Sequence, residues 1–217
     1  MFRDRKDAGE KLALALEAYK NNNAHVLAIP RGGVLVGSYV AKYLNAELSI
    51  LVVRKLPFPD NPEAGFGAIA EDGTTFLIEN VSDLLSSDTM KKIIEEQTAE
   101  VKRRINIYRK GKPLPGIKNK TVILVDDGIA MGSTMFAAIL FCKKQNAAKI
   151  IVASPVAAPS VTDEMAQVAD DVIILEKPPF FRAVAQVYAN WYDVPDYEVI
   201  RTINMWEKQL TKETKND

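Results

Sequence analysis

Short aliphatic runs alternate with longer amphipathic segments along most of the chain. The runs rich in Val, Ile and Leu predict buried strands at 25–29, 47–56, 121–126, 149–155 and 171–175. Between them, apolar residues recur three and four positions apart, which predicts helices at 7–20, 34–44, 88–110, 133–146 and 159–168. This alternation is typical of a parallel sheet with helices on both faces. We therefore predict an α/β fold with a central parallel sheet, and a single domain over residues 1–217.

Other parts of the chain depart from this alternation. Residues 57–67 hold three prolines and two glycines, which predicts a loop, and the following segment 65–79 predicts a hairpin with a type I′ turn at Asp72 and Gly73. We expect Asp7 and Glu10 to cap the first helix, residues 111–120 to form a loop, and residues 208–217 to fray.

Composition restricts the class of partner. The 28 Lys and Arg residues balance 28 Asp and Glu residues, so net charge provides no attraction for nucleic acid or an anionic membrane. The single cysteine, Cys142, excludes an intramolecular disulfide, and no run of about 18 apolar residues predicts a membrane span. The first ten residues are charged and lack an apolar signal core. We expect a cytoplasmic protein.

The segment "TVILVDDGIAMGST" (121–134) carries the strongest chemical signal. Its strand delivers Asp126 and Asp127 to the carboxyl edge of the sheet, where ligands of such sheets bind. Adjacent acids repel each other, so a cation or hydroxyl donors must compensate them. The residues behind them relax the backbone or offer hydroxyls where the next helix begins: Gly128, Gly132, Ser133 and Thr134. Carboxylates beside a helix N-terminus suit a phosphorylated sugar; the alternative is an ordinary turn with solvated acids.

The segment "AIPRGGVLVG" (28–37) is a second passage from strand to helix. Gly32 and Gly33 permit close approach of the backbone, and Arg31 can present a fork of donors to phosphate oxygens. Arg54 and Lys55 are expected to end the next strand at the same edge and to add positive charge. The alternatives are a plain turn and a solvated strand end.

"VILVDDGIAMGST" resembles the motif with which type I phosphoribosyltransferases bind phosphoribosyl pyrophosphate (PRPP). Together with "FRDRKDAGEKLA", "IPRGG" and "VRKLPFPDNPEAGFGAIAEDG", it is similar to a subgroup of predicted phosphoribosyltransferases whose acceptor is not obvious. The resemblance implies the type I phosphoribosyltransferase fold, with a small C-terminal hood at 176–203 and a mobile loop at 57–67. It also implies a homodimer.

The resemblance further implies a role for each loop. Asp126 and Asp127 would hold the ribose hydroxyls, and the loop after the first strand would bind pyrophosphate through Arg31, Gly32 and Gly33. The loop that would wrap the 5′-phosphate runs from Ile129 through Ala130, Met131, Gly132 and Ser133 to Thr134, and Gly128 before it would also bind PRPP.

Two positions depart from the family pattern. Met131 stands where the family usually has Thr, and a lost hydrogen bond to a charged group weakens binding by about 1.5 to 3 kcal/mol. Ala130 stands where the 6-oxopurine branch has an Asp that contacts the base, which argues against a hypoxanthine-guanine enzyme of that kind. Aromatic residues of the expected hood would either stack on a base or pack on the core: Phe180, Phe181, Tyr188, Trp191 and Tyr192.

The implied reaction is displacement of pyrophosphate from the anomeric carbon of PRPP by a nitrogen of a base. Mg²⁺, Arg31 and Lys55 would stabilise the leaving group, while Asp126 and Asp127 would position the ribose and contact the metal indirectly, through PRPP. The alternative function is a non-catalytic regulator that senses PRPP or a nucleotide. His25 and Cys142 have no spacing typical of metal binding or catalysis, so we expect structural roles for both.

Overall fold

The computed structural model describes residues 1–81 and 84–213, with side chains described through residue 208. Its helices are α1 (Arg5–Ala15), α2 (Gly32–Leu44), α3 (Ser87–Arg109), α4 (Ser133–Lys144), α5 (Pro159–Met165) and α6 (Asp196–Glu213). Its strands are β1 (His25–Ala28), β2 (Glu47–Ile50), β3 (Val53–Phe58), β4 (Asn61–Ala70), β5 (Thr75–Leu77), β6 (Thr121–Val125), β7 (Lys149–Val156) and β8 (Asp171–Glu176). No described helix is both long enough and apolar enough to span a bilayer.

Five strands form a parallel sheet in the order β2-β1-β6-β7-β8, which confirms the predicted central sheet. His25 lies opposite Val122 and Ala28 opposite Val125, so β1 and β6 end level with each other. Strand order runs outward in opposite directions from this pair. The crevice beyond the carboxyl ends of β1 and β6 is therefore the expected ligand site of the sheet.

Alternate residues of the central strands pack on opposite layers of helices. Ile123 and Val125 of β6 pack with α1 and α2, in a cluster that includes Leu12 and Val40. Val122 and Leu124 face the other way, toward a cluster that contains residues of α4 and α5. Because successive strand residues point to opposite faces, an uninterrupted aliphatic strand is buried on both sides.

The predicted second strand, 47–56, is wrong as a single element. The chain leaves the parallel sheet after Ile50 and begins β3 at Val53, in a separate antiparallel sheet ordered β3-β4-β5. The predicted loop at 57–67 is also wrong, because β3 runs through Phe58 and β4 begins at Asn61. Helix α3 packs on one face of this small sheet, while the Phe76 ring on β5 stacks on Phe136 of α4 with centroids 4.9 Å apart.

The predicted hairpin is present, but its turn type is wrong. A type I′ turn requires a positive φ at both central residues. Gly73 has a φ of 85°, but Asp72 is not among the residues with positive φ. Gly73 N–H donates to Ala70 O, and Ala70 N–H donates to Thr74 O. This is a type I turn followed by a left-handed glycine, the usual three-residue hairpin connection.

Both terminal helices differ from the prediction. Asp4, rather than Asp7 or Glu10, caps α1 by accepting the Asp7 N–H at 2.9 Å, and α1 ends at Ala15 before a 3-10 turn at 17–19. The irregular C-terminal segment contains helix α6, which was missed and which extends into the tail expected to fray. Residues 214–217 of that tail lie outside the described residues.

Candidate active site

The two loops singled out by the sequence meet at the carboxyl ends of β1 and β6. Ile29 N–H donates to Val125 O at 2.9 Å, which extends the ladder to the start of both loops. A Cβ on Gly32 would lie 1.8 Å from Asp127 Oδ2, and a Cβ on Gly33 would lie 2.8 Å from Val125 O. Glycine is therefore required here because the loops are in direct contact.

The two adjacent carboxylates have different surroundings. Asp127 is buried, and its Oδ2 accepts a hydrogen bond of 2.7 Å from the buried Arg5 Nε. Asp126 is half-buried, and its Oδ1 accepts the Asp127 backbone N–H at 2.8 Å. Burial, followed by the charge of Asp127, raises the pKa of Asp126 well above its usual range, and Arg5 opposes this. A protein cation thus compensates the negative charge of the two acids. Sequence reasoning had assigned this compensation to hydroxyl donors or a metal.

The loop between Asp127 and α4 presents unused backbone donors. Among the described residues, no protein acceptor pairs with the N–H groups of Ala130, Met131, Gly132, Ser133 and Thr134. Gly132, with a φ of 77°, directs the chain into α4, so these donors stand at a helix N-terminus. Ile129 differs, because its N–H already donates to Val156 O at 2.9 Å. The geometry suits a phosphate, without a backbone donor from Ile129.

Arginines collect on the other side of the crevice. Arg31 precedes α2, and its peptide bond with Pro30 is cis. Arg54 lies on β3, and Arg104 of α3 is buried, with its Nε donating to Glu100 Oε1 at 2.8 Å. Burial, followed by the charges of Arg104 and then Arg31, lowers the pKa of Arg54, so the three guanidinium groups share one region.

Arg104 was missed by sequence reasoning because the charged face of its helix was interpreted as solvated. A signal was present, since Arg104 lies three residues after Val101 and four before Tyr108, and both neighbours are buried. A cation in line with an apolar stripe faces the protein interior, where it needs partners.

Lys55 is not at the position expected for it. Arg54 and Lys55 lie within β3, not at the carboxyl end of a parallel strand, and successive strand residues face opposite ways. Arg54 Nε donates to Gln97 Oε1 of α3 at 3.2 Å, whereas Lys55 Nζ donates to Glu63 O of β4 at 2.5 Å. In the part of the chain that the structure describes, no hydrogen bond joins Lys55 to either loop.

The C-terminal segment covers the acidic loop. Tyr188 donates its hydroxyl to the Asp127 carbonyl oxygen at 2.7 Å, and a Cβ on Gly128 would lie 2.3 Å from Val184. Tyr188 is buried against Phe2, with ring centroids 5.6 Å apart, so its role is packing. Phe180 is 87% exposed and is free to contact a ligand.

The remaining candidates have structural positions. His25 is buried at the amino end of β1, away from the crevice, and bonds to Ser49 at 2.9 Å. Cys142 is buried in α4, where burial raises the pKa of its thiol to about 12. Within residues 1–81 and 84–208, no three His, Cys, Asp or Glu side chains group as a metal site.

The parallel sheet, the donor loop and the acid pair define an α/β domain whose switch point has a geometry that suits a phosphorylated ligand. The family model described as the phosphoribosyl transferase domain matches residues 4–190. The chain belongs to this family.

Similar proteins agree with this assignment. MT0597 and Rv0571c of Mycobacterium tuberculosis, both provisionally named phosphoribosyl transferases, are each 39% identical over 202 residues. The match covers 92% of this chain and 46% of each relative, so the chain spans about half their length. The crystal structure of TT1426 from Thermus thermophilus is 34% identical, with a TM-score of 0.79 over 94% of this chain and 98% of that one.

Proposed function

We propose that the chain transfers the 5-phosphoribosyl group of PRPP to a nitrogenous base and releases pyrophosphate. The observation that carries this proposal is the direct contact between the acidic loop and the glycine loop, with unpaired N–H donors on one side and arginines on the other. A ligand with a phosphate, two hydroxyls and a pyrophosphate matches these groups in order. Family membership supports the use of PRPP, and the base as acceptor is our proposal.

The groups of PRPP are assigned by chemistry. The 5′-phosphate would accept from the N–H groups of 130–134, and its ribose hydroxyls would donate to Asp126 and Asp127. Pyrophosphate would lie on Arg31, Gly32 and Gly33, within reach of the charges of Arg54 and Arg104. We infer that Arg54 is better placed than Lys55 for this role, since it is Arg54 that interacts with Arg31.

The transfer needs no covalent nucleophile from the protein. The bond from the anomeric carbon to pyrophosphate oxygen breaks, both electrons leave with pyrophosphate, and a base nitrogen forms the new bond with its lone pair. The proton that the free base carries is released to solvent. Arginines placed before the reaction stabilise the charge that develops on the leaving group, and the two loops hold the ribose in line. The acceptor would enter beneath the hood proposed at 176–203.

The residues fit a magnesium ion that arrives with PRPP. Two neighbouring carboxylates without a third ligand cannot form a protein cage, and Mg²⁺ is usually held by one or two carboxylates together with substrate phosphates. The bound ion would neutralise charge on pyrophosphate, while Asp126 and Asp127 reach it through the ribose hydroxyls. We also propose a homodimer, on the family resemblance alone, and a cytoplasmic location, because a single cysteine favours a reducing compartment.

The test is incubation of the protein with PRPP, Mg²⁺ and a panel of purine and pyrimidine bases, with pyrophosphate and nucleotide measured separately. We expect one base or a small group of bases to give both products in equal amounts. Pyrophosphate without nucleotide would indicate hydrolysis or a different acceptor. A salt-dependent shift of RNA or DNA, with PRPP binding and no turnover, would instead favour a non-catalytic regulator.

A further inference from the structure

Arg5 is a buried cation that has no role in the reaction steps proposed above. Its side chain is 5% exposed, and its Nε lies 2.7 Å from Asp127 Oδ2. A buried charge is costly unless it is paired and its donors are satisfied. The pairing with Asp127 therefore offsets the hydration that both charged groups lose when they are buried.

The same guanidinium contacts three separate segments. Its Nη1 donates to Tyr192 O at 3.0 Å, and its carbon lies 4.1 Å from the centroid of the Trp191 ring. A Cβ on Gly32 would lie 2.8 Å from its Nε, so the glycine loop passes directly beside it. One side chain thus joins the acidic loop, the glycine loop and the C-terminal segment.

The backbone around Arg5 reinforces this connection. Phe2 pairs with the C-terminal segment in both directions, through Phe2 N–H to Val187 O at 2.7 Å and Ala189 N–H to Phe2 O at 2.8 Å. Asn190 N–H donates to Arg3 O at 2.9 Å. The amino terminus of α1 therefore brings Arg5 to the crevice and fastens the C-terminal segment across it.

We infer that Arg5 is a positioning residue of the transfer reaction, which fixes the Asp127 carboxylate for the ribose and holds segment 187–192 over the acidic loop. This inference rests on the proposed function. Arg5 compensates one of two adjacent carboxylates, so the ribose meets a pair with one net negative charge rather than two. Its planar fork holds Asp127 and Tyr192 at once, which a lysine ammonium does with less geometric definition.

The experiment compares Arg5→Gln and Arg5→Lys with Arg3→Gln. Arg3→Gln is a matched control, because it removes the same charge from the same segment. The Arg3 side chain is 64% exposed, and its Nε lies 3.6 Å from Asp4 Oδ2. PRPP affinity is measured by calorimetry, and kcat and KM are measured from pH 5 to 9. We expect Arg5→Gln to weaken PRPP binding about tenfold to a hundredfold, the range of one hydrogen bond to a charged group, and Arg3→Gln to change it less than about twofold.

The pH profile separates positioning from general stability. Asp126 faces two charged groups, Asp127 and Arg5, and Arg5 is the cation that lowers its raised pKa. Removing that cation raises the pKa of Asp126 further, so the acid limb of kcat/KM should move to higher pH in Arg5→Gln. Arg5→Lys should restore the position of this limb while recovering only part of the affinity.

Hydrogen exchange gives a readout that needs no PRPP. Exchange of the Ala189 and Asn190 amides should accelerate in both Arg5 variants and not in Arg3→Gln. If wild-type protein binds no PRPP, the proposed function fails, and unchanged exchange would show separately that Arg5 does not hold the segment. Wild-type affinity and an unshifted acid limb in folded Arg5→Gln overturn the inference. If that variant does not fold, full wild-type affinity for PRPP in Arg5→Lys overturns it.

Discussion

The two sides of the crevice differ in how their charges are compensated. On the acidic side, Asp126 and Asp127 face one buried cation, Arg5, which the chain supplies from its own amino terminus. On the basic side, Arg31, Arg54 and Arg104 lie together, and the anion bonded there, Glu100, is shared with Arg103. The negative charge of the acidic side is thus partly compensated within the protein, whereas the basic side retains an excess of positive charge.

This difference in charge indicates which end of the ligand binds on each side of the crevice. Hydroxyl groups carry no charge, so the side that binds them needs fixed acceptors and little net field. Pyrophosphate carries several negative charges, and a group of arginines with an excess of positive charge gains most from binding it. Burial and then the neighbouring cations lower the pKa of Arg54, and a bound polyanion would compensate the repulsion among those cations.

Replacing both acids should have the largest effect on this comparison. Asp126→Asn with Asp127→Asn keeps the side-chain shapes but removes the acceptors for the ribose hydroxyls and leaves Arg5 without its partner. We expect phosphoribosyl transfer to fall below detection, measured as nucleotide formed per enzyme. Circular dichroism and thermal unfolding serve as controls, and full activity in the folded double variant would refute the assignment of both acids.

The acidic side could be located from sequence because its signal is local. A buried strand, two acids and a helix start follow one another within 121–134, and the structure places them as that order predicts. The three inner strands β1, β6 and β7 were recognisable for the same reason. Each is a short aliphatic run, and burial on both faces leaves no polar alternation to obscure it.

Arg31 and Arg54 were named from the sequence, but the position of Arg104 beside them and the role of Arg5 could not be located in this way, because both depend on contacts distant in sequence. Arg5 and Asp127 are separated by 122 positions, and α1 is held beside the crevice by its packing on α2 and by the pairing of residues 2 and 3 with 187–190. The boundary between β2 and β3 was also hidden, since an unbroken aliphatic run at 50–53 crosses the point where the chain changes sheets, at Leu51 and Val52.

The second prediction isolates the basic side. Arg104→Gln should weaken binding of pyrophosphate about tenfold or more, because it removes a buried charge that a phosphate oxygen can pair with. Arg103→Gln is the matched control, since Arg103 bonds to the same Glu100 but its side chain is 47% exposed. Calorimetry with magnesium pyrophosphate measures both, and equal losses in the two variants would show that only the helix was disturbed.

The third prediction concerns the 5′-phosphate loop between the two sides. Met131 is 58% exposed, so a Thr at this position fits without displacing core residues and adds one hydroxyl donor. We expect Met131→Thr to tighten binding of PRPP by about threefold to tenfold, less than a fully buried bond provides. Ribose 5-phosphate should gain equally and pyrophosphate should not gain. Unchanged or weaker binding of ribose 5-phosphate would contradict the assigned position of the phosphate.

The smallest expected effect is on stability, through the anion of the basic side. Hydrogen bonds from Arg103, and then from Arg104, lower the pKa of Glu100 from 4.5 to about 2, against the opposing effect of burial. A depressed pKa means that the ion pairs contribute stability above pH 4.5 and lose it as pH falls toward 2. Glu100→Gln should therefore cost about 1 kcal/mol of unfolding free energy at pH 7.

That difference from wild type should shrink as pH falls from about 4.5 toward 2, because Glu100 takes up a proton below about pH 4.5 in the unfolded chain and only near pH 2 in the folded protein. Urea unfolding at pH 7, 5, 4 and 3 measures it, with Glu96→Gln as a control at an exposed position of the same helix. Because Glu100 only partly offsets the arginines, its loss should leave pyrophosphate affinity intact or stronger. Weaker pyrophosphate binding in Glu100→Gln would mean that this carboxylate orients Arg104, and that the basic side depends on its own anion as the acidic side depends on Arg5.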